Sequence, residues 1–412
     1  MQTLTTAWFT ERRQNLTLIF LAGMLAIHLG CWWVIRWRLE AGYQDFTIFY
    51  TAGKILSRGE APRLYDNGLQ YRTQQEFSSY SLIRKGPLPY NHIPVEAAIF
   101  VPFTKLPYFQ AYLLWDALGV LALALAMAVL RPNLSAFRSQ SLWRGVLLGL
   151  AFFPVLMVLV QGQDTLFVLL LFALTYAALR KDSDFVAGCW LGLALVRFTL
   201  VLPFVLILVF RRSWRFLAGF TFVGALMGLA SAALVGWQSL LSYPVYVLRV
   251  ERRWVGPTTS PYMPNLRGLI ESAFCGANSY WACTTASIVV SAAVLWFCYS
   301  RCDFHSSPRS FDLSFSLALV ASVLSSYHAY LHDLTVLLIA ALLVANDFCE
   351  RKSAAWGLAA PVFLLFLTPL YAVLLFKMRL AYLMAIPLLV WFWALARETS
   401  ANRAGRLAES NS

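Results

Sequence analysis

A chain of 412 residues that is 59% hydrophobic and only 13% charged, with a mean hydropathy of +0.63, is too apolar to be a water-soluble domain of its size. Its net charge of +13 sits in small clusters between apolar runs, as in cytoplasmic loops of membrane proteins, so no nucleic-acid partner is needed to explain it. Backbone groups in lipid must be satisfied within helices or a closed barrel, and period-two alternation is absent. The expectation is an all-α polytopic protein embedded in a lipid bilayer.

In chain order, Arg12 and Arg13 precede a long apolar run that starts near Leu16 and lacks a small-residue cleavage site, which reads as a retained anchor. About twelve membrane segments are expected. They lie near 15–36, 109–130, 145–160, 165–179, 185–197, 198–210, 216–236, 283–300, 313–327, 333–346, 354–375 and 380–396. Residues 1–397 form one membrane domain, and the small, polar tail 398–412 is expected to be disordered in the cytoplasm. Counting from a cytoplasmic N-terminus, the loops "RPNLSAFRSQSLWR", "RKDSD", "RRSWR", "RCDFHSSPRS" and "ERKS" fall inside, and all carry Arg or Lys. On the other side fall a long first loop (37–108), "QGQD", a second large loop (237–282), "YHAYLH" and "KMR". Arg36 and Arg38, near the outer end of the first segment, run against this orientation.

Segments 185–197 and 198–210 are short. At 1.5 Å per residue each spans roughly 20 Å, against about 30 Å of hydrocarbon, so a hairpin turning within the membrane is expected, with Arg197 at its turn. Of the seven cysteines, most lie in or beside apolar runs; Cys275 with Cys283, in one external loop, is the plausible disulfide.

Charges near a membrane need a partner, an aqueous cavity or a task, and here they collect on one side. Asp45 precedes "FTIFYTAGKILSRG", whose apolar positions repeat at helical spacing, suggesting an amphipathic helix in the interface that holds Asp45 where a lipid-borne substrate presents its head group. The alternative is that Asp45 merely caps that helix. The proline-rich stretch from Lys85 to Pro107 forbids a continuous helix and places Tyr90 and His92 as candidates to line a polar pocket. Arg197 suits a phosphate, through paired charged hydrogen bonds, or else pairs with an acid such as Asp164. His328 and His332 stand four residues apart beside Asp333, which would put both on one helix face. Zinc needs further ligands, none obvious in sequence, so contact with a sugar or phosphate is the reading, and no metal is assigned. Asn265 and Arg267, with Glu271, stand on the same outer side, as does Gln163 in "QGQD". The "DSD" of Asp182–Asp184 lies on the inner side and is set aside as a metal–nucleotide motif.

The order "QDFTIFYTAG", "RLYD", "PLPYNHIPVEAAIFVPFTKLP", "QGQDTLFVLLLFAL", "AGCWLGLALVRFTLVLPFVLILVFRRSWR" and "YHAYLHDLTVLL" resembles the polytopic glycosyltransferase family 87, over about residues 40–350. The resemblance implies a GT-C membrane fold that moves a hexose, usually mannose, with inversion. The sugar passes from a polyprenyl-phosphate donor to a lipid- or glycan-linked acceptor hydroxyl at the extracytoplasmic face of a bacterial inner membrane. It implies Asp45 as general base, and substrate contact for His332 with Asp333. Arg197 followed by Phe198 departs from the family's Lys-Pro. A carboxylate can take the acceptor's proton, and the leaving phosphate needs positive charge from Arg197 or Arg267 rather than an acid, so neither a nucleotide pocket nor a cofactor is required. A transporter or flippase and a polyprenyl-diphosphate-glycan ligase are the competing classes; a lateral groove leading to Asp45 favours transfer, a cavity open alternately to both sides favours transport.

Overall fold

The computed structural model describes residues 2–210, 213–254, 259–275, 280–351 and 356–410. Among these every regular element is helical, as the apolar runs require. A long first helix, α1 (Gln2–Glu40), leads into a cluster of short helices: α2 (Phe46–Ser57), α3 (Asn67–Gln75), α4 (Tyr80–Arg84) and α5 (Pro94–Ile99). There follow α6 (Tyr108–Leu130), α7 (Ser135–Arg138), α8 (Leu142–Leu150), α9 (Phe153–Gln161) and α10 (Thr165–Leu179). Next come α11 (Asp184–Leu193), α12 (Phe198–Phe210), α13 (Trp214–Val235), α14 (Trp237–Trp254) and α15 (Leu266–Phe274). The chain closes with α16 (Tyr280–Arg301), α17 (Pro308–Ser325), α18 (Leu337–Arg351), α19 (Trp356–Phe366), α20 (Thr368–Ala372) and α21 (Ala385–Ser410).

Each of the expected apolar segments overlaps a helix, but fewer are spans. Among the described residues seven helices are long and apolar enough to cross a membrane, one of them the stretch Asp184–Val209 that folds back on itself, or up to nine if two bent pairs each count once. The bent pairs are α8 with α9, at 74°, and α19 with α20, at 68°. His28 of α1 serves both breaks: its Nδ1 lies 2.9 Å from the Leu150 carbonyl and its Nε2 2.6 Å from the Thr368 hydroxyl. The carbonyl can only accept, so Nδ1 carries the proton and Nε2 accepts from Thr368.

The stretch Asp184–Val209 is unbroken helix by backbone hydrogen bonding, through a 3-10 turn at Ala194–Arg197. A straight helix of that length would be about 39 Å long. Yet the Ser213 hydroxyl donates to Asp184 Oδ2 at 3.3 Å, so the chain doubles back and the expected hairpin is present. Small residues let α11 lie directly on α13: a Cβ at Gly188 would sit 2.0 Å from the Phe216 carbonyl oxygen, and one at Gly219 2.0 Å from that of Phe185. Gly188 and Gly192 are spaced as in close-packed membrane helix pairs.

Three expectations change. Helix α2 does not lie in an interface with one face bare; Phe46 through Gly53 and Ile55 are all buried, because α3, α5 and Phe100 to Phe103 close over it. The tail expected from residue 398 continues as helix: α21 runs to Ser410 on Ala, Arg, Glu and Leu, good helix formers, with Thr399 buried and Glu398 paired to Arg309 at 3.1 Å. His328 and His332 do not share a helix, since the chain is irregular between Ser325 and Leu331. Cys275 and Cys283 are joined as a disulfide.

Gly188→Val should separate α11 from α13 and lower the thermal unfolding temperature in detergent, at a cost of about 1–3 kcal/mol from overpacking. Gly23→Val, where an added Cβ meets nothing within 4 Å, should leave it unchanged.

Candidate active site

The site is organised by four consecutive residues, Gln161 to Asp164, between α9 and α10. Gly162 ends α9 with φ +62, a left-handed conformation that L side chains resist, and a Cβ there would lie 2.6 Å from Cβ of Phe46. The glycine therefore lets the start of α2 approach. Gln161 Oε1 accepts the Asp45 backbone N–H at 3.2 Å, and Gln163 Nε2 donates to Asp45 Oδ2 at 2.6 Å. Although Asp45 occupies the N-cap position of α2, its side chain makes no capping bond, so the carboxylate is not consumed by its own helix. It is half-buried, at the rim of the cluster.

Behind Gln163 stands Arg197, at the tip of the hairpin with a side chain only 11% exposed. Its Nε donates to Asp164 Oδ1 at 2.5 Å, its Nη2 to Gln163 Oε1, and its Nη1 lies 3.8 Å from Asp333 Oδ1. The ion-pair alternative for Arg197 is thus realised. The guanidinium fixes the Gln163 amide, whose nitrogen must then face Asp45.

Asp333 also closes a 3-10 helix, Leu331–Val336, by accepting the Tyr330 N–H at 2.8 Å on Oδ2, with His332 Nε2 3.5 Å from the same oxygen. His92 and Glu96 complete the group. His92 Nδ1 lies 2.9 Å from Glu96 Oε2, and both residues are buried. Burial, with the Arg197 guanidinium nearby, pushes His92 down to about 3, and the imidazole is neutral. Burial also pushes the Glu96 carboxyl up to about 8, with Arg197 opposing.

The fold therefore brings together Asp45, His92, Gln163, Arg197, His332 and Asp333. The other four candidates have structural duties. Tyr90 is fully buried, its hydroxyl donating to the Ile93 carbonyl at 2.9 Å. Asn265 caps α15 through the Gly268 N–H at 2.8 Å and ties it to the Ser326 carbonyl, also at 2.8 Å. Arg267 is held by Glu271 at 2.8 Å and the Tyr327 carbonyl at 3.0 Å, with Tyr327 stacked beneath it. His328 packs edge-on against Tyr330, which separates it from His332, and its carbonyl accepts from Thr199.

Two members escape a reading by sequence. Glu96 reads as an ordinary loop acid until the fold buries it near Arg197. Arg84, at the end of α4, makes only long contacts, 3.5 Å to Gln74 Oε1 and 3.4 Å to the Gly42 carbonyl. It lies in electrostatic reach of Asp45, and burial lowers its proton affinity while Asp45 opposes that. Its signal, an arginine before a left-handed Lys85, is not distinctive in sequence.

Two apolar grooves flank α12. One, of about 500 Å³, lies between α12, α13 and α14 and is lined by Ile93, Leu195 and Tyr243 among others. The other, of about 330 Å³, lies between α12 and α16 and ends at Arg267 and Tyr327. Phe198, the residue after Arg197, borders both.

Buried charge gathered at one end of a bundle of apolar helices, with apolar grooves beside it, defines a polytopic membrane protein with a polar cluster. The profile of glycosyltransferase family 87 matches residues 92–326, more than half of the chain, and the protein belongs to that family and is a glycosyltransferase. Comparison with curated proteins and with solved structures gives no match. The matched region takes in His92, Glu96, Gln163, Asp164 and Arg197, while Asp45, His332 and Asp333 lie outside it.

Gly162→Ala should cost about 1–3 kcal/mol, from the left-handed backbone and the contact with Phe46. It should also displace Asp45, so that thermal stability and any activity dependent on Asp45 fall together.

Proposed function

We propose that the protein transfers a hexose, with mannose the family's usual cargo, from a polyprenyl-phosphate donor to an acceptor hydroxyl at the extracytoplasmic face, with inversion. The observation that carries this reading is the state of Asp45: a half-buried carboxylate, unused by its helix, aligned by Gln163 and backed by Arg197. In a single displacement the acceptor oxygen attacks the anomeric carbon as the bond to the phosphate oxygen breaks. Asp45 takes the hydroxyl proton, and the polyprenyl phosphate leaves as an anion.

That anion needs positive charge but no proton. Arg197 is committed to Asp164 and Gln163, and Arg267 to Glu271, so the leaving phosphate falls to Arg84, whose fork of donors is largely unspent. The grooves beside α12 suit a prenyl chain, because they are apolar along their walls and converge next to Arg197. Basic residues at the opposite end of the bundle, among them Arg180, Arg301 and Arg309, favour that end as cytoplasmic.

Asp45→Asn should lower transfer from radiolabelled polyprenyl-phosphate-mannose by about 10²–10⁴-fold while donor binding persists. Equal transfer by both proteins would remove Asp45 from the chemistry. Arg84→Ala should lower kcat/KM by about 10²-fold or more, with Arg84→Lys recovering part of the loss. An unchanged kcat/KM would assign the leaving phosphate elsewhere.

A further inference from the structure

His92, Glu96 and Asp164 form a cluster that glycosyl transfer by Asp45 leaves without a task. Their ligand atoms all lie within 4.8 Å of one another, and the three residues are 8%, 2% and 4% exposed. His92 and Glu96 are held four residues apart by the first turn of α5, and Asp164 reaches them from the start of α10. Two oxygens in the group, Glu96 Oε1 and Asp164 Oδ2, are buried without a hydrogen-bond partner. Both belong to carboxylates, which only accept when ionised, so they satisfy each other only while one, Glu96, keeps a proton to donate to Asp164.

The charge balance points the same way. Asp164, Asp333 and Glu96 all act on the Arg197 guanidinium, three acids against one buried base. Asp45 adds a further acid at the rim, opposed by Arg84, and burial keeps His92 uncharged. Buried charge without a counterion is strongly unfavourable. With a proton held on Glu96 the excess is one negative charge; a divalent cation displaces that proton and offsets the two carboxylates that then face it.

We propose that His92, Glu96 and Asp164 bind one divalent metal ion. One imidazole nitrogen and two carboxylate oxygens suit Zn²⁺ or Mn²⁺, with water completing the coordination. Ligand bonds of about 2.1 Å place ligand atoms no more than about 4.2 Å apart, so any pair near the 4.8 Å limit must draw closer to hold the ion. Asp164 then bridges: Oδ1 holds Arg197 at 2.5 Å and Oδ2 takes the ion. The ion fastens the first loop to α10 and, through Arg197 and Gln163, fixes the placement of Asp45. It lies behind Arg197 and takes no part in bond making. This departs from the expectation, drawn from the chemistry of transfer, that no metal is needed.

The test is metal content and binding on the full chain in detergent, without donor or acceptor, so that its outcome is independent of the transferase reading. Purified protein should carry about one equivalent of zinc or manganese by elemental analysis. After stripping with a chelator, added Zn²⁺ or Mn²⁺ should bind by calorimetry and raise the unfolding temperature. His92→Ala and Glu96→Gln should each weaken that binding at least tenfold, and His305→Ala, outside the cluster, should not. Glu96→Gln is isosteric and keeps the packing, so a folded variant is available even if His92→Ala fails. A stripped wild type that binds neither ion would overturn the proposal, and would leave a proton shared between Glu96 and Asp164. Binding undiminished in Glu96→Gln would overturn it equally.

Discussion

Everything at the site depends on one backbone conformation, the left-handed turn at Gly162. A side chain there would collide with Phe46, and α2 would be held away from α9. With glycine, the two glutamines on either side reach one aspartate, Gln161 through its backbone and Gln163 through its carboxylate. The next residue, Asp164, faces the opposite way and takes the hairpin's arginine. Four residues of sequence thus join the first loop, the helix break and the hairpin.

The hairpin has its own physical logic. An arginine in the middle of a straight span would carry its charge into hydrocarbon, which is costly by any scale. Reversing the chain at Ala194–Arg197 moves the guanidinium to the end of the bundle, where acids from three separate elements meet it. The reversal is affordable because α11 can press against α13 through Gly188 and Gly219, leaving α12 to pack on α10 and α17 through Phe204, Phe172 and Phe315. The small residues and the buried charge are therefore one device: without the close packing there is no room for the turn that makes Arg197 tolerable.

Much of this was legible in the sequence, and the failures have physical causes. Apolar runs announced the helices, the two short runs announced the hairpin, and Asp45 and Arg197 stood out because charge beside a membrane is conspicuous. Periodicity suggested that α2 was amphipathic, but it cannot say whether lipid or protein covers an apolar face; here protein does. Tyr90, Asn265 and Arg267 are polar groups spent on backbone carbonyls and a cap, a use invisible without knowing which turns come near. Glu96 was overlooked for the converse reason: an acid in a loop looks solvated, and only the fold reveals that it is enclosed. In the tail, polar composition argues against a core, whereas α21 needs only to extend a helix already nucleated by its apolar half.

The limits of the family match sharpen the division of labour. Residues 92–326 supply the frame, namely Gln163, Asp164 and Arg197, together with the cluster of His92 and Glu96. Asp45 comes from before that region and His332 with Asp333 from after it. The carboxylate proposed as the base is therefore delivered to a frame built by other parts of the chain, and its position is only as well defined as the contacts across that junction. At Asp45 itself those contacts include two glutamine hydrogen bonds, one of them set by Arg197. Since Arg197 is itself oriented by Asp164, any change in the charge of Asp164 or its neighbour Glu96 is felt at Asp45 through rigid, buried partners rather than through solvent.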